Sequence, residues 1–278
     1  MKMKLPFKVD LSKKIAAITG AGGVICSEFA RVLAACGAKV ALLDINFEAA
    51  KAVADEIGEN AIAIRCDCLD KQSIAAAKDT IEESFGKVNF LINGAGGNNP
   101  RATCDNEVMT EQANSLKNFF KLEESGIRFV FDLNIMTAFL VTQVFAEDMV
   151  KSGGNIINIS SMNAFRPLTK IPAYSAAKAG ISNLTQWLAV HFAPCNIRVN
   201  AIAPGFFVTN QNKALLFDQQ GRPTARTEKI LQATPMKRFG EISDLNGVLL
   251  WLSDDAASGF VTGTVIPIDG GFSAYSGV

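Results

Sequence analysis

Tyr174 and Lys178 stand four residues apart, in a stretch rich in small residues: Ala173, Ala176, Ala177, Ala179 and Gly180. On a helix that spacing puts a phenol and an ammonium on one face, where both can act on the same substrate atom. A phenol has an ordinary pKa of about 10, too high for a good base near neutrality. A neighbouring ammonium stabilises the phenolate, so Lys178 is expected to lower the pKa of Tyr174. Ser161 lies thirteen residues before Tyr174, just after the apolar run Asn155–Ser160. It offers a hydroxyl at what reads as the carboxyl end of a strand. Acid–base chemistry on a single substrate atom is within reach of these three groups, with no imidazole needed.

That economy matters, because the protein has 278 residues and a single histidine, His191. No two-histidine metal motif can exist, and a Ser-His-Asp or Cys-His relay could run only through that residue. His191 falls near the end of the helical stretch that follows Tyr174 and reads as structural or surface. Lys plus Arg and Asp plus Glu both number 27. With zero net charge there is no global field to hold a nucleic-acid backbone or an anionic membrane. The most apolar region, Phe129–Ala146, is interrupted by Asp132, Asn134 and Gln143, short of a membrane span. The basic start, Met1–Lys14, lacks the apolar core of a signal peptide. Of six cysteines only Cys66 and Cys68 are close, and that pair without further ligands is a poor zinc site. The expectation is reduced, mostly buried thiols in a cytoplasmic protein with no metal.

The elements that must position these groups follow from an alternation of short apolar runs and longer helical patterns. The runs are Ile15–Thr19, Lys39–Leu43, Ala61–Cys66, Val88–Ile92, Asn155–Ser160, Arg198–Ile202 and Val265–Ile268. They are nearly all apolar, as strands buried on both faces are. Helical stretches lie between them: Val24–Cys36, Phe47–Ile57, Lys71–Phe85, Arg128–Lys151, Ala173–Phe192 and Glu241–Ser253. The pattern predicts an α/β fold, a doubly wound, seven-stranded parallel sheet, with residues 1–278 as one domain. Two segments break the rhythm, 97–126 after the fourth strand and 206–238 after the sixth. Both leave from strand carboxyl ends, where open parallel sheets bind ligands, so they read as an insertion and a lid on the substrate side.

The first strand runs into Thr19-Gly20-Ala21-Gly22-Gly23-Val24-Ile25-Cys26 and then a helix. A glycine-rich turn there suits a pyrophosphate, which the helix N-terminus would attract. Asp44 closes the second strand, 24 residues after Gly20. A carboxylate at that point accepts hydrogen bonds from adenosine ribose hydroxyls and repels a 2′-phosphate. The turn carries no Arg or Lys, so NAD is favoured over NADP.

With Asp67 after the third strand, Asn93-Gly94-Ala95-Gly96 after the fourth, Asn134, Ser160-Ser161, Tyr174-x-x-x-Lys178, Arg198-Val199-Asn200, Pro204-Gly205 with Thr209, and Asp269-Gly270-Gly271, the protein resembles the short-chain dehydrogenase/reductase family over almost its whole length. The resemblance implies a Rossmann-type sheet of seven strands, a nicotinamide cofactor and a Ser-Tyr-Lys mechanism assisted by an asparagine. Tyr174 would donate a proton to a carbonyl oxygen in the reductive direction, and Ser161 would orient that oxygen. Lys178 would bind the nicotinamide ribose and tune Tyr174, while Asn134 would hold a water leading from Lys178 to solvent. The cofactor set it implies comprises Gly20, Gly22, Gly23, Val24, Ile25, Asp44, Asp67, Cys68, Asn93, Gly94, Ala95, Gly96, Tyr174, Lys178, Pro204, Gly205, Phe207 and Thr209. Asp67 would contact the adenine, Asn93 to Gly96 would shape its pocket, and Pro204, Gly205 and Thr209 would lie at the nicotinamide end. Val24 and Cys26 stand where the family's glycine turn commonly has its second and third glycines. The resemblance also implies a homo-oligomer, a tetramer or dimer, with long helices and the C-terminal segment at interfaces.

Within that family, the stretches Ser160–Pro167, Asn212–Leu216 and Asp269–Val278 are similar to the D-mannonate oxidoreductase (fructuronate reductase) group. That similarity implies interconversion of D-fructuronate and D-mannonate. A sugar acid needs a cation for its carboxylate and polar groups for its hydroxyls. Asn163 and Arg166, close behind Ser161, are the candidate substrate ligands, with Arg101, Lys170, Lys213 and Arg222 as further cations. Another polyol or sugar acid, such as gluconate, and a non-catalytic nucleotide-binding role are the alternatives.

Overall fold

The computed structural model describes residues 9–209 and 213–277. All seven apolar runs form strands: β1 (Ile15–Thr19), β2 (Lys39–Asp44), β3 (Ala61–Arg65), β4 (Phe90–Asn93), β5 (Gly154–Ile159), β6 (Ile197–Pro204) and β7 (Val265–Ile268). Every pairing is parallel and the order across the sheet is β3-β2-β1-β4-β5-β6-β7. The polypeptide winds outward from β1 to β3, returns to β4 beside β1, and then winds the other way. That reversal leaves a crevice beyond the carboxyl ends of β1 and β4, where open α/β sheets hold their ligands.

The helices are α1 (Val24–Ala35), α2 (Phe47–Ile57), α3 (Lys71–Ser84), α4 (Glu124–Phe131), α5 (Thr137–Ser152), α6 (Pro172–Phe192), α7 (Lys213–Leu216), α8 (Ala225–Ala233), α9 (Asn246–Ser253) and α10 (Asp255–Ser258). The strands are apolar on both faces because each face meets a core. Successive residues alternate between the two. Ala16 and Ile18 of β1 pack with α1 and α9, through Phe29, Leu33, Leu249 and Leu250. Ala17 between them faces the side of α3, α5 and α6, with Ile81, Phe145, Met149 and Ile181. The expected helix Glu241–Ser253 begins as a 3-10 turn, Ile242–Leu245, before α9 takes over.

One π turn, Asp132–Met136, joins α4 to α5, so that Glu124–Ser152 runs as a continuous helix. Its length and mean hydropathy of 1.6 would suffice to cross a membrane. Its apolar face is instead core, with Val141, Phe145 and Met149 buried against the sheet. The 97–126 insertion folds into three 3-10 turns, Pro100–Ala102, Glu111–Ser115 and Phe119–Lys121. The expected lid, 206–238, contains α7 and α8. Lys229 of α8 reaches Glu107 of the insertion at 2.9 Å, tying the two excursions together. Residues 1–8 of the basic start, Asn212 of the expected lid stretch and Val278 lie outside the described residues.

Beneath the crevice a series of buried amides and hydroxyls crosses from the sheet to the helices. Asn93 Nδ2 of β4 donates to Thr142 Oγ1 of α5 at 2.9 Å and to Asn158 Oδ1 of β5 at 2.8 Å. Asn158 Nδ2 donates to Thr185 Oγ1 of α6 at 2.9 Å. Such groups stabilise only while paired, since an orphaned buried donor keeps its full desolvation cost. Asn158→Ala is therefore expected to lower stability by about 2–3 kcal/mol, read as a lower urea midpoint with an unchanged denaturant slope.

Candidate active site

Helix α6 begins at Pro172, which has no N–H to lose at a helix start, and presents Tyr174 and Lys178 one turn apart. Its buried face, Ala173, Ala177, Ile181 and Leu184, seats it on the sheet. Lys178 is 4% exposed. Its Nζ donates to the Ile159 carbonyl, the last of β5, at 2.8 Å and lies 5.7 Å from the Tyr174 ring centroid. Burial pushes the pKa of this ammonium down to about 8. Ser161, 7% exposed, is near enough to the Tyr174 hydroxyl to oppose the effect of its burial, and accepts the Asn163 N–H at 3.2 Å.

One expectation changes here. Tyr174 is held above its ordinary pKa, because burial outweighs the opposing hydrogen bond from Ser161. Lys178 does not reverse that direction. Its Nζ is turned to a carbonyl of β5, and its own charge is weakened by burial. In this geometry Tyr174 is a retained proton, suited to donation.

Asn134 sits in the π turn, 1% exposed. Its Nδ2 donates to the carbonyls of Val130 and Gly97, both at 2.7 Å, and its Oδ1 accepts the Gly97 N–H at 3.2 Å. A Cβ on Gly96 would lie 2.8 Å from Asn134 Oδ1 and 3.1 Å from Lys178 Nζ. The two side chains thus border one small space that only a glycine leaves open.

At the other end of the crevice Gly20 turns with φ +65°, a conformation that glycine adopts freely, and a side chain there would strike the backbone of Ala95. The N-terminus of α1 has Gly23 at its cap and no side-chain cap, so the first-turn N–H groups of Val24 and Ile25 face the crevice end unclaimed by a capping side chain. Asp44 Oδ2 accepts the Gly22 N–H at 2.9 Å and Oδ1 the Asn46 N–H at 2.8 Å. The carboxylate is thereby fixed beside the turn. Cys26 fits in place of a glycine because Gly94 gives way: a Cβ on Gly94 would fall within bonding distance of the Cys26 sulfur. An uncapped helix start, a glycine cradle and an anchored carboxylate fit a dinucleotide's pyrophosphate and adenosine ribose. Asp67 is exposed at the end of β3 next to buried Cys68. Gly205 follows Pro204 and packs so tightly on Asp269 that a Cβ would lie 2.6 Å from its Cα. Thr209 is half-buried, and its carbonyl accepts the Lys213 N–H at 2.9 Å.

The other expected ligands have the following surroundings. The Asn93 side-chain nitrogen is engaged in the buried network, where Thr142 and Asn158 supply its partners. The Phe207 ring is buried and packs on Gly240. Arg166 is exposed and its Nε donates to the Ser273 carbonyl at 3.0 Å, clasping the C-terminal segment. Arg222 is paired with Asp218 at 2.9 Å. Arg101 and Lys213 are exposed, Lys170 half-buried. Asn163 is buried, with an Oδ1 that has no partner among the described residues. His191 stacks on Trp187 at 4.6 Å on the outer side of α6 and takes no part. All six cysteines are free, and five of them are buried.

Two contributors were given no role by the motifs that contain them. The Thr19 hydroxyl accepts the N–H groups of Gly94 and Ala95, at 3.0 and 3.2 Å, and so joins the turn after β1 to the turn after β4. Ser160 Oγ bonds Ser182 Oγ at 2.8 Å and donates to the Lys178 carbonyl at 3.2 Å, fixing β5 against α6. Their only signal in the sequence is a hydroxyl at a strand end.

The chain is similar to known proteins over nearly its whole length. The sequence family described as enoyl-(acyl carrier protein) reductase matches residues 20–273. A crystal structure from Haemophilus influenza with bound NAD, named as a candidate D-mannonate oxidoreductase, is 58% identical; the match covers 97% of this chain and 98% of that one, with a TM-score of 0.93. An uncharacterized oxidoreductase of Bacillus subtilis, UxuB, is 52% identical over 99% of this chain and 100% of its own length. The 7alpha-hydroxysteroid dehydrogenase of Escherichia coli is 35% identical over 94% of each.

A buried ammonium with a depressed pKa destabilises the fold at neutral pH, and the sign is definite. The folded value, about 8, lies below the ordinary 10.5, so the penalty is full below about 8 and fades as pH rises toward 10.5. Lys178→Met is expected to raise stability by about 1–3 kcal/mol at neutral pH, with the gain shrinking in alkali. Urea unfolding of both proteins across that pH range checks it.

Proposed function

The chain belongs to the short-chain dehydrogenase/reductase family, and from that membership we propose an NAD(H)-dependent oxidoreductase that interconverts a sugar-acid ketone and its alcohol, with D-fructuronate and D-mannonate as the pair. The observation that carries the reading is the convergence of Ser161, Tyr174 and Lys178 at the carboxyl end of β5, beside the glycine turn. When bound, the nicotinamide cofactor supplies or accepts the hydride. The protein's own residues handle the proton and the geometry. The Ser161 hydroxyl orients the substrate oxygen that Tyr174 protonates, and the Tyr174 proton is available because burial keeps the phenol neutral. Lys178 presents its ammonium from below the crevice, where it can hold ribose hydroxyls. Asn134, sharing the space beside Gly96, offers the route by which a proton returns to Tyr174.

Gly20, Gly22, Gly23, Val24 and Ile25 would cradle the pyrophosphate, and Gly94, Ala95 and Gly96 the adenosine side opposite. Asp44 supports NAD over NADP, since its anchored carboxylate stands where a 2′-phosphate would be repelled. Asp67 would lie against the adenine, with Pro204, Gly205 and Thr209 at the nicotinamide end. The sugar-acid assignment is supported by the 58% identical structure's name. Relatives near a third identity include a steroid dehydrogenase, so family membership alone leaves the substrate open. Arg166 is the cation we assign to the substrate carboxylate. Its Nε is spent on Ser273, which leaves its terminal nitrogens to reach across the loop after β5. Exposed Phe139, Trp187 and Val190 on α5 and α6 support a homo-oligomer.

Two variants test the assignment. Tyr174→Phe is expected to bind NADH as the parent does while turnover falls by about 10²–10⁴-fold; near-parental turnover would remove Tyr174 as the acid. Arg166→Ala is expected to raise KM for fructuronate at least about tenfold, with an uncharged ketose unaffected. Equal losses on both would show that Arg166 acts only by holding the C-terminal segment.

A further inference from the structure

Three segments meet beyond the carboxyl end of β5, the strand that leads into Ser161. The sheet order places β5 between β4 and β6; the insertion leaves β4 and the lid leaves β6. Lys229 of the lid grips both carboxylate oxygens of Glu107 in the insertion, at 2.9 and 3.0 Å, so the two excursions join across the end of β5. The loop that runs from Ser161 to Tyr174 is tied in as well, because the Cys104 N–H of the insertion donates to the Lys170 carbonyl at 2.7 Å. Lys170 therefore stands where all three segments converge.

The Lys170 backbone has φ +72°, a left-handed conformation that residues with side chains rarely adopt, and no other non-glycine residue between Ser161 and Tyr174 shares it. Strain of this kind gathers where a ligand is held. The side chain is half-buried, yet its ammonium makes no hydrogen bond or ion pair with a described residue. The carboxylate of Glu107 feels Lys229 first and then Lys170 and Arg226, which together hold it below the usual range. Both its oxygens are already spent on Lys229. Lys170 is thus a partly desolvated cation with no protein anion of its own, at the substrate side of the sheet.

We propose that Lys170 is a specificity-determining residue whose ammonium, together with Arg166, receives the substrate carboxylate. The inference rests on the sugar-acid reading of this site. In fructuronate the ketone and the carboxylate are held apart by the hydroxyl-bearing carbons between them. While Ser161 and Tyr174 engage the ketone oxygen, the acid end must extend away from them. The loop that begins at Ser161 carries Lys170 toward its other end, against the insertion and the lid. Arg166 has its Nε on the Ser273 carbonyl, so it offers an anion only its terminal nitrogens. A carboxylate accepts from several donors at once, and a second cation widens the preference for acids over neutral ketoses.

Steady-state kinetics with NADH, on fructuronate and on an uncharged ketose, test this. Lys170→Asn removes the charge with a residue that tolerates the left-handed backbone, and Lys170→Arg keeps the charge. Lys170→Asn is expected to raise KM for fructuronate at least about tenfold, with kcat within about twofold of the parent and the ketose unaffected. The rise of the fructuronate KM with added salt should be smaller in Lys170→Asn than in the parent, and Lys170→Arg should restore both affinity and salt response. An unchanged KM, equal losses on the acid and the ketose, a loss confined to kcat, or no rescue by Lys170→Arg would overturn the role of Lys170. A parent protein that reduces the ketose with no preference for fructuronate would overturn the sugar-acid reading itself, and this inference with it.

Discussion

Lys178 carries an ammonium into the interior with a backbone carbonyl, not a carboxylate, as its protein partner. Burial of an amine opposes its charge, and here it brings the pKa down to about 8. The arrangement persists because its surroundings are fixed independently. The Ile159 carbonyl ends a strand in the middle of the sheet, and α6 is seated by an alanine-rich face and by Gly180, where a Cβ would lie 2.8 Å from Ile135. Ser160 and Ser182 tie the same helix turn to β5. A cation held at that point, short of full solvation, is the charged neighbour of Tyr174.

The rest of the site is made by the ends of strands. The turns after β1 and β4 are joined through the Thr19 hydroxyl, and the turn after β2 holds the first through Asp44. The turn after β5 supplies Ser161, and the segment after it is tied outward to the insertion, through the Cys104 N–H on the Lys170 carbonyl, and to the C-terminal segment through Arg166. Ligand contacts therefore arise from backbone positions set by two apolar cores, with few side chains asked to fold on their own.

The apolar runs were legible because strands covered on both faces need no polar residue, so the seven parallel strands followed from pattern alone, while their order across the sheet did not. Ser161, Tyr174 and Lys178 were legible by spacing. The side-chain packing of Asn93 and Phe207 was not, because a motif position says where a backbone passes and not which way a side chain turns. Asn93 points down because buried hydroxyls wait there, and Phe207 turns into Gly240. The π turn at Asn134 left no mark in the helical period, since it shifts the register by one residue only. Arg166 was read by its nearness to Ser161, while its contact with Ser273 joins residues 107 apart in the sequence.

The central claim is that this crevice moves a hydride between a nicotinamide and a sugar-acid carbonyl. NADH carrying deuterium at its transferable position, incubated with D-fructuronate and the protein, tests it most directly. Mass spectrometry of the product should find D-mannonate with one deuterium on the newly formed carbinol carbon. Bound NADH with no labelled aldonate formed would contradict the account.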